Sequence, residues 1–146
     1  MTTADSEYCP VARTLNLIGD RWSLLIIRDT FDGIRRFKDF QQNLGVARNI
    51  LSDRLKKLTD AGILEMKPAS DGTAYQEYVL TDKGTHLFTV IVALRQWGEG
   101  HLFGEAEPHS VLIDKQTGKP VLPVALMTER GDILSPSETQ VRKVTQ

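Results

Sequence analysis

Residues 36–62, RFKDFQQNLGVARNILSDRLKKLTDAG, carry two helical patterns parted by a two-residue break. In Arg36 to Leu44 the apolar Phe37, Phe40 and Leu44 recur at i, i+3 and i+7, the stripe of a short amphipathic helix of about two turns, and Gly45 closes it. From Ala47 to Ala61, Leu51, Leu55 and Leu58 sit at i, i+4 and i+7. Arg48, Asn49, Ser52, Asp53, Lys56 and Thr59 fall toward the opposite side. Gly62 is a good C-terminal stop. Two helices separated only by Gly45-Val46, the second with a polar face, are the sequence form of a helix-turn-helix.

Upstream, Pro10 suits the first position of a helix over 10–18, with Val11, Leu15 and Ile18 at helical spacing and Gly19 at its end. Asp20 is a natural N-cap for Arg21 to Phe31, where Trp22, Leu25, Ile26 and Thr30 form a stripe widened by Leu24 and Ile27. Downstream, alternation replaces the helical period. Leu64 and Met66 oppose Glu65 and Lys67, an Asp71-Gly72 turn follows, and Tyr78 and Leu80 oppose Glu77 and Val79, which is a β-hairpin. Thr81 can cap a helix over 82–98, running through Leu87, Ile91 and Leu94 to about Trp97. Phe88, Val90 and Val92 make that helix apolar on more than one side. It is either a partner surface or a centrally buried helix, and Leu87, Phe88, Ile91, Val92, Leu94 and Trp97 are the candidate contact residues. Val111 to Ile113, Val121 to Met127 and Asp132 to Leu134 are short strand candidates joined by Gly118 and Gly131 turns, and a frayed tail is expected from Ser135 on.

A chain of 146 residues predicts one core, with at most an appendage, and 40% hydrophobic and 25% charged residues are ordinary for a soluble protein. The longest strongly apolar stretches, Leu24 to Ile27 and Leu87 to Leu94, are far shorter than the roughly 18 residues of a bilayer span, and the polar start Met1 to Glu7 lacks signal-peptide character. A cytoplasmic protein without a membrane partner is expected. Cys9, the single cysteine, can form no internal disulfide and no thiolate zinc site alone. His86, His101 and His109 match no compact zinc spacing. With no phosphate-binding glycine loop, no G-x-S-x-G and no Cys/His pair at a recognisable spacing, neither an enzyme nor a cofactor is expected. The net charge of −1 hides a basic segment, residues 35–67, with eight basic and four acidic side chains between acidic flanks. That is the count of an electropositive face, or of a solvated, salt-bridged helix.

Cys9-Pro10-Val11, Gly19-Asp20-Arg21-Trp22-Ser23-Leu24-Leu25-Ile26, Arg36-Phe37, Leu51-Ser52-Asp53-Arg54-Leu55-Lys56-Lys57-Leu58, Ala61-Gly62-Ile63-Leu64, Glu77-Tyr78-Val79-Leu80-Thr81, Lys83-Gly84 and Trp97-Gly98 stand in this order over roughly residues 8–102. Together they resemble the HxlR family of bacterial winged-helix transcriptional regulators. The resemblance implies an α+β fold, a winged helix-turn-helix with dimerisation helices, in a domain over 8–102 followed by a C-terminal β-strand extension and tail over 103–146. It further implies a homodimer on a near-palindromic operator in double-stranded DNA, with the helix 82–98 and the N-terminal helix forming the dimer contact. Two positions depart from the family pattern. Ala47 stands where many members carry a capping Ser or Thr, and Ala74, Tyr75 and Gln76 replace the usual arginine of the wing, leaving Lys67 as its basic residue.

A helix in the major groove reads base edges from near its N-terminal end while basic groups around it hold phosphates. Arg48, Asn49, Ser52 and Asp53 are placed to read, or are ordinary exposed helix residues; Lys56, Lys57, Arg35 and Arg36 are phosphate candidates. Arg54, beside the leucine stripe, is read as a structural ion pair, and Trp22 and Trp97 as core or dimer packing. Cys9, at a helix start where the dipole favours an anion, is a candidate sensor of an oxidant or small-molecule electrophile, or a small packing residue. Some family members with a cysteine there are redox sensors. The competing functions are a winged-helix protein-interaction module without DNA binding and a thiol enzyme using Cys9.

Overall fold

In the computed structural model, which describes residues 7–144, helices form where a cap and an apolar stripe agree. Helix α1 (Pro10–Ile18) starts at Cys9, whose Sγ accepts from the Ala12 N–H at 3.5 Å. Helix α2 (Arg21–Phe31) starts at Asp20, whose Oδ2 accepts from the Ser23 N–H at 3.0 Å, and it buries Ile26 and Ile27 completely. Helices α3 (Phe37–Leu44) and α4 (Arg48–Asp60) follow, joined through Gly45, which takes the left-handed conformation at φ 63° that a side chain would strain. Phe40, Leu51, Leu55 and Leu58 are fully buried and knit the two helices into one core, each contributing roughly 1.5–3 kcal/mol. Strands β1 (Leu64–Pro68) and β2 (Gln76–Leu80) pair antiparallel with Leu64 opposite Leu80 and Met66 opposite Tyr78. This is a helix-turn-helix with a two-stranded wing, an α+β fold.

The predicted helix 82–98 is two helices. Thr81 caps the short α5 (Asp82–Thr85) through the Gly84 N–H, and α6 (Phe88–His101) begins after a turn at His86-Leu87. Gly84 explains the break: a Cβ there would collide with the Ile63 carbonyl, so α5 lies tight against the chain leading into β1 and must turn away. The Leu87 N–H closes that turn on the Gly84 carbonyl at 3.0 Å. Helix α6 then runs through Gly98 and Gly100 rather than stopping before them.

The strand candidates of the extension are shorter than predicted. Ile113 and Pro120 share one bridge, and only β3 (Leu126–Met127) and β4 (Ile133–Leu134) form a ladder. Pro120 and Pro123 lack the N–H that a continuous ladder over 121–127 would need nearby. The chain past Ser135 is not simply frayed, because Ser135 and Glu138 form a capping box around a 3-10 turn, Pro136–Glu138. Residues 1–6, most of the polar start, and the last two of the tail lie outside the described residues. Contacts divide the chain into two compact units, one ending at Phe88 and the other beginning at Thr89. No helix among the described residues is long and apolar enough to cross a membrane.

Candidate nucleic-acid interface

Helix α4 buries Leu51, Leu55 and Leu58 and leaves Arg48, Asn49, Ser52, Asp53 and Lys56 exposed, as the periodicity predicts, with Lys57 exposed beside them; Thr59, expected on the same side, is half-buried and donates to the Leu55 carbonyl. Its N-terminal residue pair is open: Ala47 makes no side-chain cap, so the first amides of α4 have no side-chain acceptor. The Arg48 guanidinium lies 4.9 Å from the centre of the Phe37 ring, a cation–π contact that ties the first turn of α4 to α3. Asn49, Ser52 and Lys57 make no side-chain hydrogen bond or ion pair among the described residues. Asp53 and Lys56 are engaged within the helix surface, Asp53 by Arg54 Nη1 at 2.6 Å and Lys56 by Asp60 at 2.7 Å.

Two polar anchors hold this face in place. Arg54 Nε donates to Asp20 Oδ2 at 2.9 Å, so the carboxylate that caps α2 also grips the middle of α4, the structural role read from the sequence. Burial disfavours the charged form of Asp20, but hydrogen bonds from Ser23 and Arg54 outweigh it and lower its pKa to about 2. Deeper in, the fully buried Asp29 receives Arg28 Nη2 at 2.8 Å on one oxygen and Asn43 Nδ2 at 3.0 Å on the other, linking α2 to α3. The sequence held a signal for this pair: an acidic residue three positions after Ile26, on the apolar side of α2.

The wing is fastened to the start of α3 by Arg36. Its Nη2 reaches Asp71 Oδ2 at 2.5 Å, and its guanidinium lies 5.1 Å from the Tyr75 ring centre. Asp71 also accepts from the Thr73 N–H, and this bond together with Arg36 draws its pKa down to about 2. Glu77, which alternation places on the open face with Val79, is instead buried. Its carboxylate accepts from the Ser70 N–H and lies 3.8 Å from Arg35, and the Ser70 bond lowers its pKa. The wing carboxylate turns inward because the loop amide needs an acceptor there. Met66, expected inside, is half exposed. Lys67 lies on exposed β1 beside Glu65 at 3.3 Å. Lys38, on the exposed side of α3, was not singled out from the sequence; like Arg48 and Lys57 it has no acidic partner among the described residues.

Of the proposed contact residues outside this face, Cys9 is half-buried at the α1 cap. Phe88, Leu94 and Trp97 are exposed, Trp97 to 61%, whereas Leu87 and Ile91 are half-buried and Val92 is buried. Phe88 packs its ring 5.0 Å from Phe31. Val92 is therefore not a free contact residue. Val11 and Leu15 of α1 are also exposed, while Trp22 is half-buried under the Arg21 guanidinium.

The sequence model of the HxlR-like helix-turn-helix matches residues 17–106. A helix-turn-helix-type transcriptional regulator of Mycobacterium tuberculosis is 38% identical over 135 residues, 92% of this chain and 82% of its own length. The crystal structure of PA1607, a candidate transcription factor, superposes with a TM-score of 0.89 at 44% identity, covering 98% of this chain and 100% of that one. The redox regulator HypR in its oxidized form is 29% identical with a TM-score of 0.58, over 64% of this chain and 97% of its own.

Proposed function

The chain belongs to the HxlR-like helix-turn-helix family of transcriptional regulators, and from that premise we propose that it binds operator DNA sequence-specifically as a homodimer. The observation that carries this reading is the open polar face of α4. Leu51, Leu55 and Leu58 fix the helix while Asn49, Ser52 and Lys57 stay uncommitted and the first amides are uncapped. Placed in a major groove, Arg48 would engage guanine and Asn49 adenine, each good bidentate pair contributing about 1–3 kcal/mol of discrimination. Ser52 and Asp53 extend the reading surface, Asp53 after giving up Arg54. Lys56, Lys57 and Arg35 face phosphates, and Lys67 is the basic residue of the wing. Arg36, through Asp71 and Tyr75, sets the wing's position and adds to the phosphate field.

The two-fold dimer forms through exposed apolar side chains of α1 and α6, among them Val11, Leu15, Phe88, Leu94 and Trp97, within a functional region over 8–102 followed by the extension 103–146. A signal enters through Cys9. Its Sγ is part of the α1 cap, so modification removes an acceptor from the Ala12 N–H and disturbs the helix that carries the dimer contact. With one cysteine per chain the oxidised product is an intersubunit or mixed disulfide: two thiols lose two protons and two electrons to an oxidant such as diamide. The likeness to HypR, a redox regulator, supports this part.

The test is selection of bound fragments from genomic or random DNA, followed by footprinting. Two protected half-sites about 10 base pairs apart, or a small multiple of a turn, are expected. Equal binding of the selected site and a scrambled duplex at moderate salt would refute the proposal, and an interaction partner bound without a steep salt dependence would favour a protein-interaction module.

A further inference from the structure

The second compact unit, from Thr89 on, has a specified backbone but little interior. Its turns are closed by hydrogen bonds, Asp114 N–H to the Lys119 carbonyl at 2.9 Å and Thr128 N–H to the Asp132 carbonyl at 2.8 Å. Gln96 of α6 clamps the extended stretch between them: its Nε2 donates to the Leu122 carbonyl at 3.1 Å and its Oε1 accepts from the Val124 N–H at 2.7 Å. Arg95 likewise donates to the Ser110 carbonyl at 3.0 Å. Yet no residue between 103 and 144 is buried, and only Leu112, Thr128 and Leu134 are half-buried. Leu122 is 85% exposed, and Leu126, Met127, Ile133 and Val141 are mostly open.

Such a segment cannot hold its conformation alone. Ordering the backbone costs about 1–2 kcal/mol per residue, while an exposed hydrogen bond returns about 1 kcal/mol or less. Apolar burial must supply the balance, and the unit itself provides almost none here. The exposed large apolar side chains between 110 and 134 number eight. At roughly 100 Å² each they amount to about 800 Å², above the 300–600 Å² of a typical monomer's largest apolar patch and comparable to the ~800 Å² that each partner contributes to a standard interface. The same unit also exposes Val90, Leu94 and Trp97 of α6, the helix assigned above to the dimer.

We infer that residues 110–134 are a second dimerisation arm, covered by the same unit of a second copy of this chain. A second copy presents the identical patch at equal concentration, and a two-fold axis lets the patch cover itself. The arm lies beyond residue 106, where the match to the family pattern ends, so it adds to the dimer contact proposed above rather than replacing it. The inference rests on the homodimer proposed above.

The test uses the full chain and the double variant Leu122→Asp/Leu126→Glu, with dissociation followed by sedimentation equilibrium. Both side chains are exposed in a single chain, so the helical circular dichroism should be retained. The dimer dissociation constant should rise by about a hundredfold or more. Independently of any variant, amide exchange over 121–127 in the wild type should slow as its concentration passes through the dissociation constant. A dimeric wild type whose dissociation constant is unchanged by the substitutions, or whose exchange over 121–127 is independent of concentration, overturns the arm and leaves the homodimer standing. A wild type that stays monomeric at micromolar concentration overturns both.

Discussion

Asp20→Asn removes one negative charge and leaves a side chain that can still cap α2. It therefore isolates the carboxylate charge, which the Ser23 hydrogen bonds and then Arg54 stabilise. The Asp20 carboxyl has a pKa of about 2 in the fold against an ordinary 3.8, a difference corresponding to about 2 kcal/mol at full value. Its side chain is 30% exposed and that of Arg54 28%, so solvent screening reduces the net contribution to about 1 kcal/mol. For a chain of this size that is roughly 4 °C in melting temperature. A carboxyl held below its unfolded value stabilises the fold above pH 3.8 and loses that contribution as pH falls through about 2. Urea unfolding at fixed protein concentration should then show wild type more stable than Asp20→Asn by about 1 kcal/mol at pH 7, with the gap closing between pH 4 and pH 2. Asp71 and Glu77 weaken in the same acid range in both proteins and cancel in the difference. A gap of the same size at pH 7 and pH 2 would refute the electrostatic account, and no gap at pH 7 would show that Arg54 does not depend on this carboxylate.

Arg48→Ala should relax base preference at one operator position, and Lys57→Ala should weaken all duplexes alike; competition binding against single-base variants of the operator separates the two. Lys38, Arg48 and Lys57 lack acidic partners among the described residues. A dimer contacting phosphates through Lys38 and Lys57, with Arg48 on a base edge, should give a slope of log affinity against log salt of about −4 or steeper as Lys56 is recruited, readable by fluorescence anisotropy. Diamide or peroxide should change the operator affinity of the wild type and leave Cys9→Ser unaffected; an unchanged wild type after verified thiol modification removes the switch. Gly45→Ala forces a side chain into the left-handed turn at φ 63° and should cost about 1 kcal/mol in thermal unfolding with little change in the base preference of the folded fraction.

The helix-turn-helix was legible because its signals are local. Stripes at Phe37, Phe40 and Leu44 and at Leu51, Leu55 and Leu58 set which faces are buried, and Gly45 and Gly62 set where the chain turns. Asp20 was legible as a cap for the same reason. What escaped depends on residues distant in sequence. Glu77 is buried because a loop amide seven positions earlier needs its carboxylate, and nothing in the alternation of β2 records that need. Arg36 meets Asp71 across 35 positions, so a residue that looked like a free cation at a helix start is half committed to the wing. The break after Thr85 depends on the approach of Gly84 to Ile63. In the extension, apolar stretches between glycine turns suggested strands longer than the ladder permits, since side-chain pattern says nothing of the donors that Pro120 and Pro123 lack.

The charge of the basic segment divides the same way. Arg36, Arg54, Lys56 and Lys67 each have an acidic neighbour within the chain, so much of the local excess is neutralised before any ligand arrives. These pairs are not equivalent. Lys56 and Asp60 are both well exposed, and such pairs contribute at most about 1 kcal/mol, so a phosphate can recruit Lys56 at small cost. Arg54 is bound to two carboxylates and braced beside the leucine stripe, and drawing it away would leave Asp20, the capping carboxylate of α2, without its cation. Recruitment by DNA should therefore follow exposure, Lys56 and Lys67 first and Arg54 not at all. The anchored arginine holds α4 against α2, and in the proposed complex the lysines would adjust to the DNA backbone while Asn49 and Ser52 would meet base edges in a fixed register.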